Sequence, residues 1–167
     1  MSITVETGQA GSDSVSYCSV AQADAYFLAR GNAAWAALAT DAKESALVRG
    51  CDYLTQTYRG RIAGIRATTT QALDWPRIWV PMADSLTGYY PSGVVPVEVV
   101  NANAEAARRA AQGEMLSDVD QPVIEETVGP ITTRYAPGAS QAKKYPVIDR
   151  LLSPFVGSAN SIRMVRA

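Results

Sequence analysis

The residues of this chain that could bind a ligand lie close together between positions 59 and 79. Arginine recurs through this stretch, and its guanidinium group forms forked hydrogen bonds that suit phosphate oxygens. The arginines concerned are Arg59, Arg61, Arg66 and Arg77. They predict a surface that faces DNA or an acidic partner. The alternative is that they pair with acidic side chains of the same fold, and the net charge of −1 favours it.

Aromatic residues follow the arginines and offer a second kind of contact. Exposed rings stack on unpaired bases, but rings on long loops are also enriched at protein interfaces. We expect Trp79, Tyr89 and Tyr90 to lie at a subunit or partner interface. We expect Trp75, with Pro76 behind it, to be a structural anchor in the core.

No catalytic constellation is apparent. The chain contains no histidine, the commonest general base and metal ligand. Cys18 and Cys51 are too far apart for a redox or zinc motif, and we expect both to be small buried groups. Phosphate-binding and dinucleotide-binding glycine motifs are absent from the sequence. The sequence therefore predicts a non-enzyme with no cofactor and no metal.

The bulk composition is that of one globular domain. The 167 residues are 47% hydrophobic, which is enough for a core, and the isoelectric point is about 5.4. A protein that functions bound to nucleic acid would be expected to have a basic domain. The first residues do not have a signal-peptide pattern, and no apolar run approaches membrane-spanning length. We expect a protein made in a cytoplasm, without membrane contact.

Helical spacing and capping signals predict most of the architecture. Three helices are expected at about 20–30, 33–39 and 42–58. The proposed caps are a Ser19–Gln22 capping box, Asn32, and an Asp41–Glu44 capping box. A fourth helix is expected at about 96–115 with Pro96 at its start. Its expected apolar face is Val97, Val100, Ala104, Ala107, Ala111 and Met115.

The remaining segments are shorter or irregular. The run QALDWPR, residues 71–77, is predicted to form one helical turn that stops at Trp75, because a residue before proline is pushed out of the α region. Residues 78–95 are expected to form a long irregular connection. Alternation on both sides of Gly129-Pro130 predicts a β-hairpin at about 123–136. A last helix is expected from Tyr145-Pro146.

These elements predict a mainly α fold: a helical bundle with one β-hairpin and extended N- and C-terminal arms. We expect an arm over residues 1–17, a helical domain over 18–156 and a tail over 157–167. The tail alternates apolar and basic residues and could dock on a partner, or it could be a frayed terminus. The tail residues that would dock are Ile162, Arg163, Met164, Val165 and Arg166.

Several stretches together resemble the tailed-bacteriophage head–tail connector, or adaptor, family, whose members are often labelled DnaT-like single-stranded DNA-binding proteins. The matching stretches are VETG (5–8), SYCSVAQADAYFLARGN (16–32), YL (53–54), YRG (58–60), QALDWPR (71–77), VGPITTRYAPG (128–138) and YPVIDRLLSPFV (145–156). Of these, QALDWPR alone is specific by itself. The resemblance covers most of the chain in order, and its departures fall mainly in 78–95.

The resemblance implies a virion protein of the neck, assembled in the bacterial host cytoplasm. It implies a ring subunit, expected in a dodecamer, that joins the portal protein to a tail-terminator or stopper protein around a channel for double-stranded DNA. The tail would then dock on the portal, and Ile131 and Tyr135 of the hairpin would contact neighbouring subunits.

A single-stranded DNA-binding replication accessory protein is the alternative function. The arginines and the neighbouring aromatic residues favour it, whereas the near-neutral charge favours the connector.

Overall fold

The computed structural model describes residues 2–82, 88–116, 125–128, 131–134 and 143–157. This part of the chain is mainly helical with a β-hairpin, as predicted. The helices are α1 (Val20–Leu28), α2 (Ala33–Ala36), α3 (Thr40–Tyr58), α4 (Val97–Ala110) and α5 (Pro146–Leu152). The strands are β1 (Ile65–Arg66), β2 (Arg77–Ile78), β3 (Glu125–Val128) and β4 (Ile131–Arg134).

The capping predictions hold for the first two helices and fail for the third. Ser19 and Gln22 form the reciprocal capping box of α1, and the Asn32 side chain caps α2. Helix α3 begins after Ala39, which makes no side-chain cap. Asp41 therefore lies inside the first turn, where its carboxylate favours the positive end of the helix dipole without capping it.

The pair α3 and α4 forms the centre of the fold. A Cβ atom added to Gly50 of α3 would lie 2.6 Å from the backbone nitrogen of Ala107 in α4, so the two backbones approach as closely as a glycine permits. This agrees with the expectation that the alanine-rich helix would let another helix approach closely. Most of the core lies around this contact.

Helix α4 is shorter than predicted and its apolar face is partly different. It ends at Ala110, and Pro96 is its N-cap residue. Val97 was expected on the buried face but is 62% exposed. The helix lies between two core clusters and buries most of its circumference. The side missed by the prediction carries Val99, Ala102, Ala106 and Ala110.

The segment before α1 was expected to extend as an arm, and instead it packs on the helices. Tyr17 is 3% exposed and belongs to the core. The buried Asn103 of α4 accepts hydrogen bonds from Ser16 Oγ and from the backbone N–H of Tyr17, both at 2.8 Å. The Glu6 carboxylate accepts four backbone N–H groups of residues 8–11 and so closes a loop. A buried polar network thus holds this segment in place.

The hairpin prediction is confirmed for the described residues. Strands β3 and β4 pair in antiparallel fashion, with Glu125 opposite Arg134 and Val128 opposite Ile131. A second, two-residue ladder between β1 and β2 was not predicted. Helix α5 begins at Pro146, as expected from the sequence.

Candidate functional site

The QALDWPR run is an irregular loop that leads into β2, and the prediction of a helical turn was wrong. Gln71 holds the loop together, since its Nε2 donates to the carbonyl oxygens of Leu73 at 2.8 Å and Pro76 at 3.1 Å. The Trp75–Pro76 peptide bond is cis. The Gln71 side-chain amide therefore satisfies two backbone carbonyl oxygens that backbone N–H groups would satisfy in a helix.

Trp75 lies in the core. Its side chain is 1% exposed and packs edge-on against Phe155, with ring centroids 5.2 Å apart. The Tyr17 hydroxyl accepts hydrogen bonds from the backbone N–H groups of Asp74 at 2.8 Å and Trp75 at 3.2 Å. The indole is thus packed between the N-terminal segment and the chain that follows α5.

Arg77 is largely buried, which weighs against its predicted place among the DNA-facing residues. It is 6% exposed. Its guanidinium donates to the carbonyl oxygens of Ala63 and Gly64 at 2.8 Å, of Ile62 at 3.2 Å and of Asp74 at 3.4 Å. Burial lowers the pKa of Arg77 from its ordinary value. The side chain clamps the loop after α3 to the QALDWPR run, and these donors are therefore not available to phosphate.

Arg59 and Arg66 line one groove, which we call the arginine groove. Its volume is about 610 Å³, and Thr68, Thr69 and Asp74 also line it, with the largely buried Arg77 in its wall. Arg59 is 49% exposed, and its Nε lies 2.8 Å from Oδ1 of the buried Asp74. Arg66 donates through Nη2 to the carbonyl oxygens of Thr69 and Gln71. Both guanidinium groups are held by the fold and still reach the groove.

Arg61 lies outside this groove. It is exposed, and its guanidinium carbon stands 5.5 Å from the ring centroid of Tyr58. Of the predicted arginines, the structure therefore brings Arg59, Arg66 and the largely buried Arg77 together at one groove and separates Arg61.

The aromatic residues of the connection differ sharply in exposure. Trp79 is 64% exposed and Tyr89 is 53% exposed. Tyr90 packs its ring on Phe155 at a centroid distance of 5.0 Å, and its backbone N–H donates to Val80 at 2.9 Å. Trp79 and Tyr89 are therefore exposed to solvent, whereas the Tyr90 ring packs on the core. Neither Trp79 nor Tyr89 lines the arginine groove.

Gly64 connects the arginine and aromatic segments. Its φ is +71°, and an added Cβ would lie 2.3 Å from the carbonyl oxygen of Ile78. Glycine is required here by both the backbone angle and the close approach. It allows β1 and β2 to pair, which places Trp79 at the end of the ladder.

Several residues that were predicted to make contacts lie partly or wholly outside the described part of the chain. Ile131 is the first residue of β4, and only its backbone is described. Tyr135 and the proposed docking residues of the tail lie outside the described residues. The tail residues are Ile162, Arg163, Met164, Val165 and Arg166.

A second groove, which the sequence did not predict, lies between α1 and α2. We call it the apolar groove; its volume is about 650 Å³, and Phe27, Leu28 and Trp35 line it. Leu28 is 82% exposed at its edge. Asp24 also lines the groove, and its Oδ1 accepts from Trp35 Nε1 at 2.7 Å and lies 2.9 Å from Lys43 Nζ. The sequence signal was Leu28 itself, a large apolar residue beside the predicted helix stripe.

One family comparison covers the whole chain. The family described as "Putative DnaT-like ssDNA binding protein" matches residues 1–167. The chain belongs to this family. A search of curated proteins and a search of solved structures each gave no match.

Within this DnaT-like family member, the two cysteines are buried and free, as expected. Burial raises the thiol pKa of Cys18 to about 12, and it raises the pKa of Cys51 as well. Neither thiol is therefore ionised near neutral pH, and neither is suited to act as a nucleophile. In the ranges that the structure describes, no group of three or more Cys, Asp and Glu could hold a metal. None of the described helices is long and apolar enough to cross a membrane.

Proposed function

We propose that this protein is a structural subunit, the head–tail connector of a tailed phage, which forms a ring between portal and tail. The observation that carries the proposal is a contrast between the charged and the apolar side chains. The charged side chains of the 59–77 stretch are largely bound to the protein itself, and large apolar side chains are exposed. Leu28, Trp79 and Val97 are each more than 60% exposed.

Exposed apolar groups of this size favour contacts with other protein chains. A ring needs two different surfaces on each subunit, because each copy contacts its two neighbours through unlike patches. The apolar groove and the exposed Trp79, which does not line it, are two such patches. The resemblance of the QALDWPR run and the flanking stretches to phage connectors supports the same role, as does the net charge of −1, which lets DNA slide.

Imaging of the neck in phage particles tests this proposal. We expect density for this chain in a ring between the portal protein and the tail. A neck in which all densities belong to other chains would contradict the proposal. The isolated protein is not a substitute, because the ring is expected to assemble on the portal.

A single-stranded DNA-binding accessory protein is the second candidate, and the family description favours it. Its structural support is the arginine groove, where two arginines meet beside threonine hydroxyls. Titration of a labelled oligonucleotide by fluorescence anisotropy tests it at low and moderate salt. Each phosphate contact contributes a slope of about −0.7 in the logarithm of affinity against the logarithm of salt concentration.

The variant Arg59→Ala should lower that slope and the affinity if the groove binds DNA. Arg61→Ala should do the same only if the binding surface extends beyond the groove. Arg49→Ala is the matched control, since Arg49 is an exposed arginine of α3 that does not line the groove. Absence of binding at low salt would exclude this second function.

A further inference from the structure

A small cavity lies beneath the QALDWPR run, against helix α3. Its volume, taken as the space open to the centre of a water molecule, is about 10 Å³. Apolar side chains form much of its wall, including Leu54, Val99 and Leu152. One water molecule needs roughly 10–15 Å³ in this measure. The cavity therefore has room for one water and not for a larger ligand.

Four side chains with a hydroxyl or carboxyl group also line this cavity. Tyr58 donates its hydroxyl to Asp149, and each of the other three has a hydrogen bond still to make. Asp74 Oδ2 and Thr55 Oγ1 are buried without a hydrogen-bond partner in the described chain. The Tyr17 oxygen accepts two backbone N–H groups, so its own O–H remains to be donated. Unsatisfied buried polar groups are rare in folded proteins, and a carboxylate oxygen is among the costliest.

The geometry points to one ordered water molecule bound in this cavity by Asp74, Thr55 and Tyr17. The water donates to Asp74 Oδ2, accepts from the Tyr17 hydroxyl and shares a third hydrogen bond with the Thr55 hydroxyl. This set matches the usual number of about three hydrogen bonds for a buried water.

The water site bears on the surface as well as on the core. Asp74 Oδ1 holds Arg59 at 2.8 Å at the arginine groove. A water on the other oxygen limits rotation of the carboxylate and so keeps Oδ1 directed at Arg59. The site thus links the core to the groove, and it depends on neither proposed function.

Crystal structures of the full chain and of two valine variants test the site. Thr55→Val replaces the hydroxyl with a methyl group of similar size. Thr57→Val is the matched control, because Thr57 Oγ1 is also buried without a partner on α3 but does not line the cavity. We expect a water within roughly 2.7–3.2 Å of Asp74 Oδ2, Thr55 Oγ1 and the Tyr17 oxygen. It should be present in wild type and Thr57→Val and absent from Thr55→Val.

A solution measurement gives an independent readout. The amplitude of oxygen-17 relaxation dispersion counts long-lived internal waters, and it should fall by one water in Thr55→Val alone. A dry cavity in the wild-type crystal, with Thr55 donating directly to Asp74, would overturn the inference. Equal losses of amplitude in both valine variants would also overturn it. If Thr55→Val does not fold, Tyr17→Phe removes a different hydrogen bond to the same water and should lower the amplitude equally.

Discussion

The arginine groove and the apolar groove differ in how the fold treats their largest side chains. The stretch from Arg59 to Arg77 is rich in charge, yet one arginine is buried and two are bound by carboxylate or carbonyl oxygens. In the apolar groove, Phe27 and Trp35 are each 1% exposed, whereas Leu28 at its edge is 82% exposed. A charged residue type thus does not by itself indicate a charged surface, because a guanidinium can donate its hydrogen bonds to carbonyl oxygens of the same fold.

The two tryptophans on either side of Arg77 give the largest expected contrast. Trp75→Ala empties a site that is 1% exposed, and it should lower the free energy of unfolding by about 3–5 kcal/mol. Trp79→Ala removes a ring that is 64% exposed, and the change should stay within about 0.5 kcal/mol. Urea unfolding followed by circular dichroism measures both. Similar losses for the two variants would mean that Trp79 is packed and not a contact surface.

The next contrast is between a buried and an exposed arginine. Arg77→Met leaves four carbonyl oxygens without their donor and should cost about 3 kcal/mol of stability. Arg61→Met should leave the urea midpoint almost unchanged, because Arg61 is exposed and packs only on the Tyr58 ring. If Arg77→Met is as stable as wild type and loses only DNA binding, Arg77 belongs to the DNA-binding surface.

A pH titration probes the core beside the apolar groove, where Cys18 packs against Phe27 and Trp35. Burial raises the Cys18 pKa from 9.0 to about 12, so the unfolded chain loses this proton first as pH rises. The stability contribution is complete below the unfolded pKa and declines as pH rises towards the folded one. Between about pH 9 and pH 10, wild type should lose roughly 1 kcal/mol more than Cys18→Ala.

Parallel urea unfolding curves of the two proteins over this pH range measure the difference. Cys51 and the buried tyrosines titrate in both proteins, so the difference isolates Cys18. Equal pH dependence would show that the Cys18 thiol is accessible to solvent in the folded state.

The smallest effect on stability is expected at the edge of the apolar groove. Leu28→Ser should change the free energy of unfolding by less than about 0.5 kcal/mol, because the side chain is 82% exposed. If the groove is a subunit contact, the same variant should be incorporated several-fold less into phage particles, as measured by the amount of this chain per purified particle. Ala29→Ser is the control, since Ala29 is exposed on the next residue but does not line the groove. If both variants are incorporated equally into particles, the apolar groove is not part of the assembly surface.

Local signals in the sequence predicted the helices well where a single side chain decided the outcome. Ser19 with Gln22, Asn32 and Pro146 each mark a helix start that the structure confirms. Asp41 with Glu44 has the same spacing, but the helix begins earlier, and spacing alone does not show which residue precedes the first turn. The buried side of α4 was only half predicted, because a helix packed on two sides has no single apolar stripe.

The candidate site was predicted less well than the fold. Arg59, Arg61, Arg66 and Arg77 are equivalent as residue types, and their separation into groove, outer surface and core depends on where the loop carbonyls lie. Only the arrangement of residues 62–64 reveals that Arg77 is their donor. The apolar groove was missed because it forms where residues of α1 and α2 meet, and periodicity within one helix does not encode how two helices pack.

The sequence by itself determined the helical class, the helix starts, the hairpin and the burial of Trp75 and both cysteines, because each follows from local capping, alternation or apolar character. Tertiary structure alone decided that Tyr17 joins the core, that QALDWPR is a loop, and which arginines reach solvent. The physical reason is that buried polar groups must find partners, and those partners come from segments distant in sequence. Tyr17 and Asn103, 86 positions apart, are joined by one such hydrogen bond.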